Sequence, residues 1–240
     1  MPNSPMRCAA IVLAILVSVL APALTRAAPL PSIAVAASLR PAMPAIVSAF
    51  EQETATTVRV SYAASGKLTR QILRGAPFEL FLAANADYPQ RVAEAGRSEG
   101  DVLTYAIGRI GLFVPDSSPL APDGKLEDLR AKLAANAVER FAIANPRHAP
   151  YGVRARQALE HAGLWQAVQP VLVLGENAAQ TAQFGAAGSV AGAIIPASLA
   201  ATPHLRAAGR FAPIPGDWHE PLEQQMVLIE GAGDTARRLH

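Results

Sequence analysis

Apolar residues recur along this chain in two alternating periods. Ser32 to Ala37 is a run of small apolar residues ended by Ser38, the pattern of a buried strand. Met43, Ile46, Val47 and Phe50 follow at i, i+3, i+4 and i+7, one face of a helix. Pro41 and Pro44 fall in its first turn, where a missing N–H costs little, and this puts Ser38 in the N-cap region of that helix. Val58 to Ala63 alternates as a second strand. Ala64-Ser65-Gly66 is a turn, and a helix through Leu68, Ile72 and Leu73 stops at Gly75. Phe78 to Ala84 is a third strand, leading into a helix that ends near Gly96. Leu103 to Val114 is long for a strand and holds Gly108 and Gly111, so it can bend and pass from one lobe to another.

The pattern then repeats. Pro115 to Gly124 is turn-rich, and Leu126 to Leu133 is a short helix. Phe141 to Ala144 is a buried strand stopped by Asn145-Pro146, and Ala155, Ala158, Leu159 and Ala162 mark a helix closed by Gly163. Val168 to Leu174 reads as a strand, Ala178 to Ala187 as a helix and Ser189 to Pro196 as another buried strand. Arg210 to Pro215 and Gln224 to Glu230 are the last two strands. Strands alternating with helices predict an α/β fold with mainly parallel sheets. The two groups imply two lobes with a cleft between them: residues 28–109 with 216–240 in lobe 1, and 110–215 in lobe 2.

Composition changes this picture at the N-terminus. Met1 to Arg7 carries one positive charge, Cys8 to Leu20 is almost wholly apolar, and Thr25-Arg26-Ala27 offers small residues at a cleavage site. Residues 1–27 read as a secretory signal peptide. The apolar run is shorter than the roughly 20 residues of a membrane span. Cleavage removes Arg7 and Arg26 and no acid, so the formal charge of +2 falls to zero. A neutral chain without a basic cluster has no electrostatic footprint for nucleic acid. The single cysteine, Cys8, lies in the leader, so the mature chain has no disulfide and no cysteine-based metal site. These features point to an exported protein of a bacterial periplasm, expected to be a monomer.

Four strand-to-helix loops then stand out: Ser38-Leu39, Ser65-Gly66, Pro150-Tyr151-Gly152 and Asn177-Ala178. In open α/β sheets such loops lie at the carboxyl ends of strands, where ligands bind. Two come from each lobe. Ser38 and Ser65 hydroxyls, Tyr151 and the backbone N–H groups of helix starts such as Ala178 would form a cage of donors without a charged side chain. Helix N-termini favour anions, and each charge-assisted hydrogen bond contributes about 1.5–3 kcal/mol. The cage suits a compact, fully ionised oxyanion.

The motifs that carry these loops are Val-Ala-Ala-Ser-Leu, Ser-Tyr-Ala-Ala-Ser-Gly, Gly-Ala-Pro-Phe-Glu-Leu-Phe-Leu-Ala-Ala, Tyr-Ala-Ile-Gly-Arg, Ala-Ile-Ala-Asn-Pro-x-x-Ala-Pro-Tyr-Gly and Gly-Glu-Asn. Together, from Ile33 to Glu230, they resemble the periplasmic molybdate-binding proteins of molybdenum ABC transporters. The resemblance implies a two-lobed type II periplasmic-binding fold and capture of molybdate, with tungstate also bound, for delivery to a membrane permease. It places Ser38, Ser65, Tyr151 and Ala178 on the anion, with no direct metal ligand and no cofactor. One branch of the family uses a later Tyr. The matching position here is Ile195, and this chain resembles the branch that uses the Tyr of Ala-Pro-Tyr-Gly. The family continues past its last strand with one or two helices that complete the first lobe. This chain stops at Arg237-Arg238-Leu239-His240, so either that lobe is capped differently or the sequence is shortened.

Other chemistry finds little support in the sequence. Gly66-Lys67 is followed by Leu68, which breaks the phosphate-loop pattern. No His-Glu-x-x-His occurs, a serine hydrolase built on Ser65 lacks a base, and the chain is not expected to be an enzyme. Sulfate is the alternative oxyanion. Lys67 reads as a solvated first-turn lysine, His148 as a surface-loop histidine and Glu79 as structural.

Overall fold

The computed structural model describes residues 30–240. The expected leader, 1–27, lies outside the described residues. The chain begins with strand β1 (Ser32–Ala36), a 3-10 turn (Ala37–Leu39) and helix α1 (Met43–Thr54). Then come β2 (Arg59–Ala63), α2 (Ser65–Leu73), β3 (Leu80–Leu82), α3 (Asp87–Glu94) and β4 (Ser98–Gly108). The second half holds β5 (Ile110–Pro115), α4 (Glu127–Ala134), β6 (Phe141–Ala144), α5 (Pro150–His161), α6 (Trp165–Val168) and β7 (Leu172–Gly175). It closes with α7 (Ala178–Ala186), β8 (Gly192–Pro196), α8 (Ala197–Ala200), α9 (Pro203–Ala208), β9 (Gly209–Pro213), β10 (Leu222–Ile229) and α10 (Asp234–Leu239).

These strands form two five-stranded sheets, ordered β2-β1-β3-β10-β4 and β7-β6-β8-β5-β9. In the first, β2, β1 and β3 are parallel and β10 runs antiparallel to both β3 and β4. In the second, β7, β6 and β8 are parallel and β5 runs antiparallel to β8 and β9. The fold is α/β and two-lobed, but both sheets are mixed rather than mainly parallel. The reason is the crossovers. β5 and β10 each enter their sheet directly from the other lobe, without an α-helical crossover, and are inserted against the direction of the β-α-β strands. Among the described residues, two segments join the lobes: Arg109 between β4 and β5, and residues 214–221 between β9 and β10.

Alternation along the central strands decides which helix covers which face. Ile33, Val35, Leu80 and Leu82 pack with Met43 and Phe50 of α1 on one face of the first sheet. Ala34 and Phe81, one residue out of phase, pack with Leu68 and Ile72 of α2 on the other. In the second lobe Phe113, Phe141 and Ile194 join Ala155, Leu159 and Ala182 in one continuous core. Ala36 and Ala84, from strand ends of the first lobe, belong to that same core. The lobes therefore touch.

Several elements differ from the sequence pattern. β4 begins at Ser98, before the apolar run, because its first residues, half-buried to exposed, lie on an edge strand and have no need of apolar side chains. Val168 ends the short helix α6 rather than opening β7, since its buried side chain belongs to a helical turn. The small helices α6, α8, α9 and α10 have too few residues to show a period. Glu79 takes the structural role expected of it: its carboxylate accepts from the Gly233 N–H at 2.9 Å, just ahead of α10.

Candidate functional site

The carboxyl ends of β1 and β2 in one lobe face the start of α5 and of α7 in the other. Between them lies a cavity lined by Ala36 to Ser38, Ala63 to Ser65, Ala84, Ala149 to Tyr151, Asn177 and Ala178. All four residues expected at a ligand, Ser38, Ser65, Tyr151 and Ala178, line this one cavity. Ile195, set aside in the sequence, is fully buried in β8 and is not in the lining. The lining carries no ionisable acid or base other than the Tyr151 phenol. The cavity volume is about 10 Å³, the room of about one water molecule, so the two lobes lie close together over it.

Neither serine is a cap. The N-cap of α1 is Ala42, four residues beyond Ser38, and no side chain caps that helix. Ser38 sits instead in the 3-10 turn, because Pro41 and Pro44 delay the helix. Its hydroxyl is 2% exposed and has no hydrogen-bond partner among the described residues. Ser65 is the first residue of α2, whose N-cap Ala64 makes no side-chain bond. The Ser65 oxygen accepts from the Ala84 N–H at 3.0 Å, so its own proton stays free. That partner is a donor, not a base, so this serine is not primed as a nucleophile.

Tyr151 stands in the first turn of α5, after Pro150 at the position where proline suits a helix start. Gly152 follows because α5 lies directly against β6: a Cβ there would fall 2.0 Å from the Ala144 carbonyl oxygen. Burial pushes the Tyr151 phenol up to about 12, only partly countered by the nearby Ser38 hydroxyl. The two hydroxyls are close enough to influence each other yet do not form a bond of good geometry, which leaves Ser38 unpartnered. Tyr151 thus remains a neutral donor at any ordinary pH. Ala178 opens α7, where Asn177 caps the helix by accepting from the Gln180 N–H at 3.0 Å. The first-turn N–H groups of Ser65, Tyr151 and Ala178 have no intrahelical carbonyl.

The rim corrects two expectations. His148 is not a surface-loop residue: it is 8% exposed, its carbonyl accepts from the Gly66 N–H of the other lobe at 2.9 Å, and its Nε2 lies 3.0 Å from the Glu176 carbonyl. Lys67 is in the first turn of α2 as expected, but it pairs with Glu176 across the cleft rather than standing alone in solvent. This bond and the charge of Lys67 hold the Glu176 carboxyl below its ordinary value. Ser198 adds a third tie, its hydroxyl donating to the Ser38 carbonyl at 3.1 Å. No sequence pattern pairs residues so far apart.

Sequence reasoning also missed Tyr105, Gln224 and Gly108, which stand behind Tyr151. Gln224 is 6% exposed, and its Nε2 donates to the Tyr151 hydroxyl at 3.4 Å. The signal was present: Leu222, Gln224 and Met226 share one face of β10, and a glutamine between two apolar residues on a buried face needs a reason.

The profile of the bacterial extracellular solute-binding proteins matches residues 31–239. The chain belongs to this family. Among solute-binding proteins it is 36% identical over 204 residues to the molybdate-binding protein ModA of Azotobacter vinelandii, covering 85% of this chain and 79% of that one. It is 33% identical over 211 residues to ModA of Rhodobacter capsulatus, with 86% and 79% covered. The solved periplasmic molybdate-binding protein of Azotobacter vinelandii superposes with a TM-score of 0.78 at 25% identity, over 87% of this chain and 90% of that one. The sulfate-binding protein SubI of Mycobacterium tuberculosis shares the solute-binding fold alone, at 16% identity and a TM-score of 0.68, over 88% of this chain and 79% of that one.

Proposed function

We propose that this solute-binding protein captures molybdate outside the cytoplasm and hands it to the membrane permease of an ABC transporter. The observation that carries the reading is the cavity at the lobe junction: small, without a charged side chain, and holding a buried Ser38 hydroxyl with no partner among the described residues. Ser38, Ser65, Tyr151 and the N–H of Ala178 hold the anion, two groups from each lobe. The lobes are 28–109 with 216–240, and 110–215. Tungstate, of the same shape and charge, binds too. The protein works as a monomer in the periplasm and does no covalent chemistry.

Neutral donors suit a dianion for two reasons. Four helix or turn starts supply positive potential without a counter-ion that would have to be desolvated. Donors also select against a protonated anion, which would bring an O–H where the cage offers N–H and O–H groups. Phosphate, partly protonated at neutral pH, is disfavoured on that ground, whereas sulfate is as fully ionised as molybdate and is the competitor that the titration must separate. Calorimetric titration of purified protein with molybdate, tungstate, sulfate and phosphate tests the assignment. Molybdate and tungstate are expected to bind at micromolar concentration or below. Sulfate competing on equal terms with molybdate would overturn it.

A further inference from the structure

Behind the cavity lies a buried polar chain that crosses the lobe junction. Tyr105, on β4, donates its hydroxyl proton to the Ala83 carbonyl at 2.7 Å and shares it with Gln224 Oε1 at 3.3 Å. The other end of the Gln224 amide, Nε2, faces the Tyr151 hydroxyl at 3.4 Å. Gly108 leaves the space in which they meet: a Cβ there would lie 2.7 Å from the Tyr151 hydroxyl and 3.2 Å from Gln224 Nε2. Two strands, β4 and β10, are thus arranged around one phenol of the opposite lobe, and Ala83, just past β3, anchors Tyr105 behind them.

We propose that Gln224, held by Tyr105, fixes the direction of the Tyr151 hydroxyl so that its proton points at the bound anion. The proposal rests on the reading of the cavity as an oxyanion site, and names Gln224 and Tyr105 as positioning residues for it. A phenol has one proton to give and lone pairs to receive. When its oxygen accepts from Gln224 Nε2, the proton is left for the guest. With the amide reversed, Oε1 takes that proton and the phenol turns lone pairs toward a dianion. The shared Tyr105 proton on Oε1 settles the amide in the first orientation. Both contacts to the amide are long, so they steer more than they bind. This also gives a reason for a glutamine on the buried face of β10, where an amide costs stability unless its groups are used.

The test is a set of molybdate titrations by calorimetry on the intact protein: wild type, Tyr151→Phe, Gln224→Glu, Gln224→Leu and Tyr105→Phe, each of the last three also combined with Tyr151→Phe. Melting curves confirm that each is folded, and Tyr105→Phe is the mild variant should a change at Gln224 unfold the chain. Gln224→Glu keeps the shape and reverses the polarity at Nε2. It is expected to weaken binding at least tenfold, part of it by direct repulsion of the dianion, so the neutral Gln224→Leu and Tyr105→Phe carry the decision. In the Tyr151→Phe background, Gln224→Leu and Tyr105→Phe are expected to change affinity less than twofold. If the wild type binds and these two substitutions cost as much in the Tyr151→Phe background as they do alone, Gln224 and Tyr105 act on the fold and the proposal is overturned while the anion site stands. If the wild type fails to bind molybdate, tungstate or sulfate, the anion site itself falls and takes the proposal with it.

Discussion

Replacing Ser38 by alanine should strengthen the empty protein and weaken the loaded one. In the structure the Ser38 hydroxyl is 2% exposed and unpartnered among the described residues. A buried hydroxyl in that state costs about 1–3 kcal/mol relative to one that is hydrogen-bonded or hydrated. Alanine removes the group and the cost, and leaves a space no larger than one oxygen atom. Without ligand, Ser38→Ala is therefore expected to be neutral or up to about 1 kcal/mol more stable, a rise in Tm of about 2–4 °C for a chain of this size. With ligand the sign reverses. The lost hydrogen bond to a charged oxygen is worth about 1.5–3 kcal/mol, or about 10- to 150-fold in Kd. Saturating molybdate should then stabilise the variant by correspondingly less than the wild type. Calorimetric melting with and without molybdate, together with a titration, measures all three quantities. A clear fall in the Tm of the empty variant, with affinity unchanged, would show that the hydroxyl serves the fold and that the cage is wrongly drawn.

Ser65→Ala should behave differently, because the Ser65 oxygen accepts from the buried Ala84 N–H. Losing it orphans that donor, so the empty protein should lose about 1–3 kcal/mol in urea unfolding, in addition to a weaker affinity; unchanged stability would mean that a water takes its place. Stability should fall from about pH 10 toward pH 12. Burial raises both the Tyr151 phenol, to about 12, and the Tyr105 phenol above the ordinary 10.0. The folded chain therefore keeps protons that the unfolded chain releases, and the stability present below pH 10 is lost as the pH climbs. For Tyr151 alone this amounts to about 3 kcal/mol. Urea midpoints at stepped pH should show the decline, reduced in Tyr151→Phe. Glu176→Gln removes the tie to Lys67 across the cleft. Both side chains are half exposed, so the effect belongs on lobe opening: a faster molybdate off-rate by stopped flow, with little change in Tm. The wild-type tie itself should weaken as pH drops through the lowered pKa of Glu176 and its carboxylate is neutralised. An off-rate equal to wild type would mean that the pair is idle.

How much of this was legible in the sequence follows from what each residue depends on. Phe141 to Ala144 and Ile33 to Ala36 are strands because every side chain is buried, and an unbroken apolar run says so. The four loops were legible because a strand followed by a helix has only one place for its junction. Ser38 lines the cavity, but the local reason is not a cap: two prolines hold off α1, and the serine at a cap-like position is left free. The reversed strands β5 and β10 were not legible, since direction within a sheet is a property of the crossover and not of the strand's own residues. Gln224, Tyr105 and the Lys67–Glu176 pair depend on partners more than 70 residues away in sequence. His148 is buried by the same closure, its carbonyl tied to Gly66 of the other lobe. Only the polar residue on the buried face of β10 left a local trace.

The place of β10 has a further consequence, for the order in which the molecule assembles. Residues 110–213 supply every strand of the second sheet, so that lobe can form from one continuous stretch of chain. The first sheet cannot. Its β3 and β4 are separated by β10, which is made from residues 222–229 and arrives last as the chain emerges from its N-terminus. Until then Leu80 to Leu82 and the long β4 have no strand between them, and the half of the polypeptide synthesised first is the half that finishes folding last. A chain that threads a membrane before it folds gains from that delay, because its leading portion has no complete sheet to unravel on the way. The same late strand carries Gln224, so the polar chain behind the cavity and the first lobe are completed by one event.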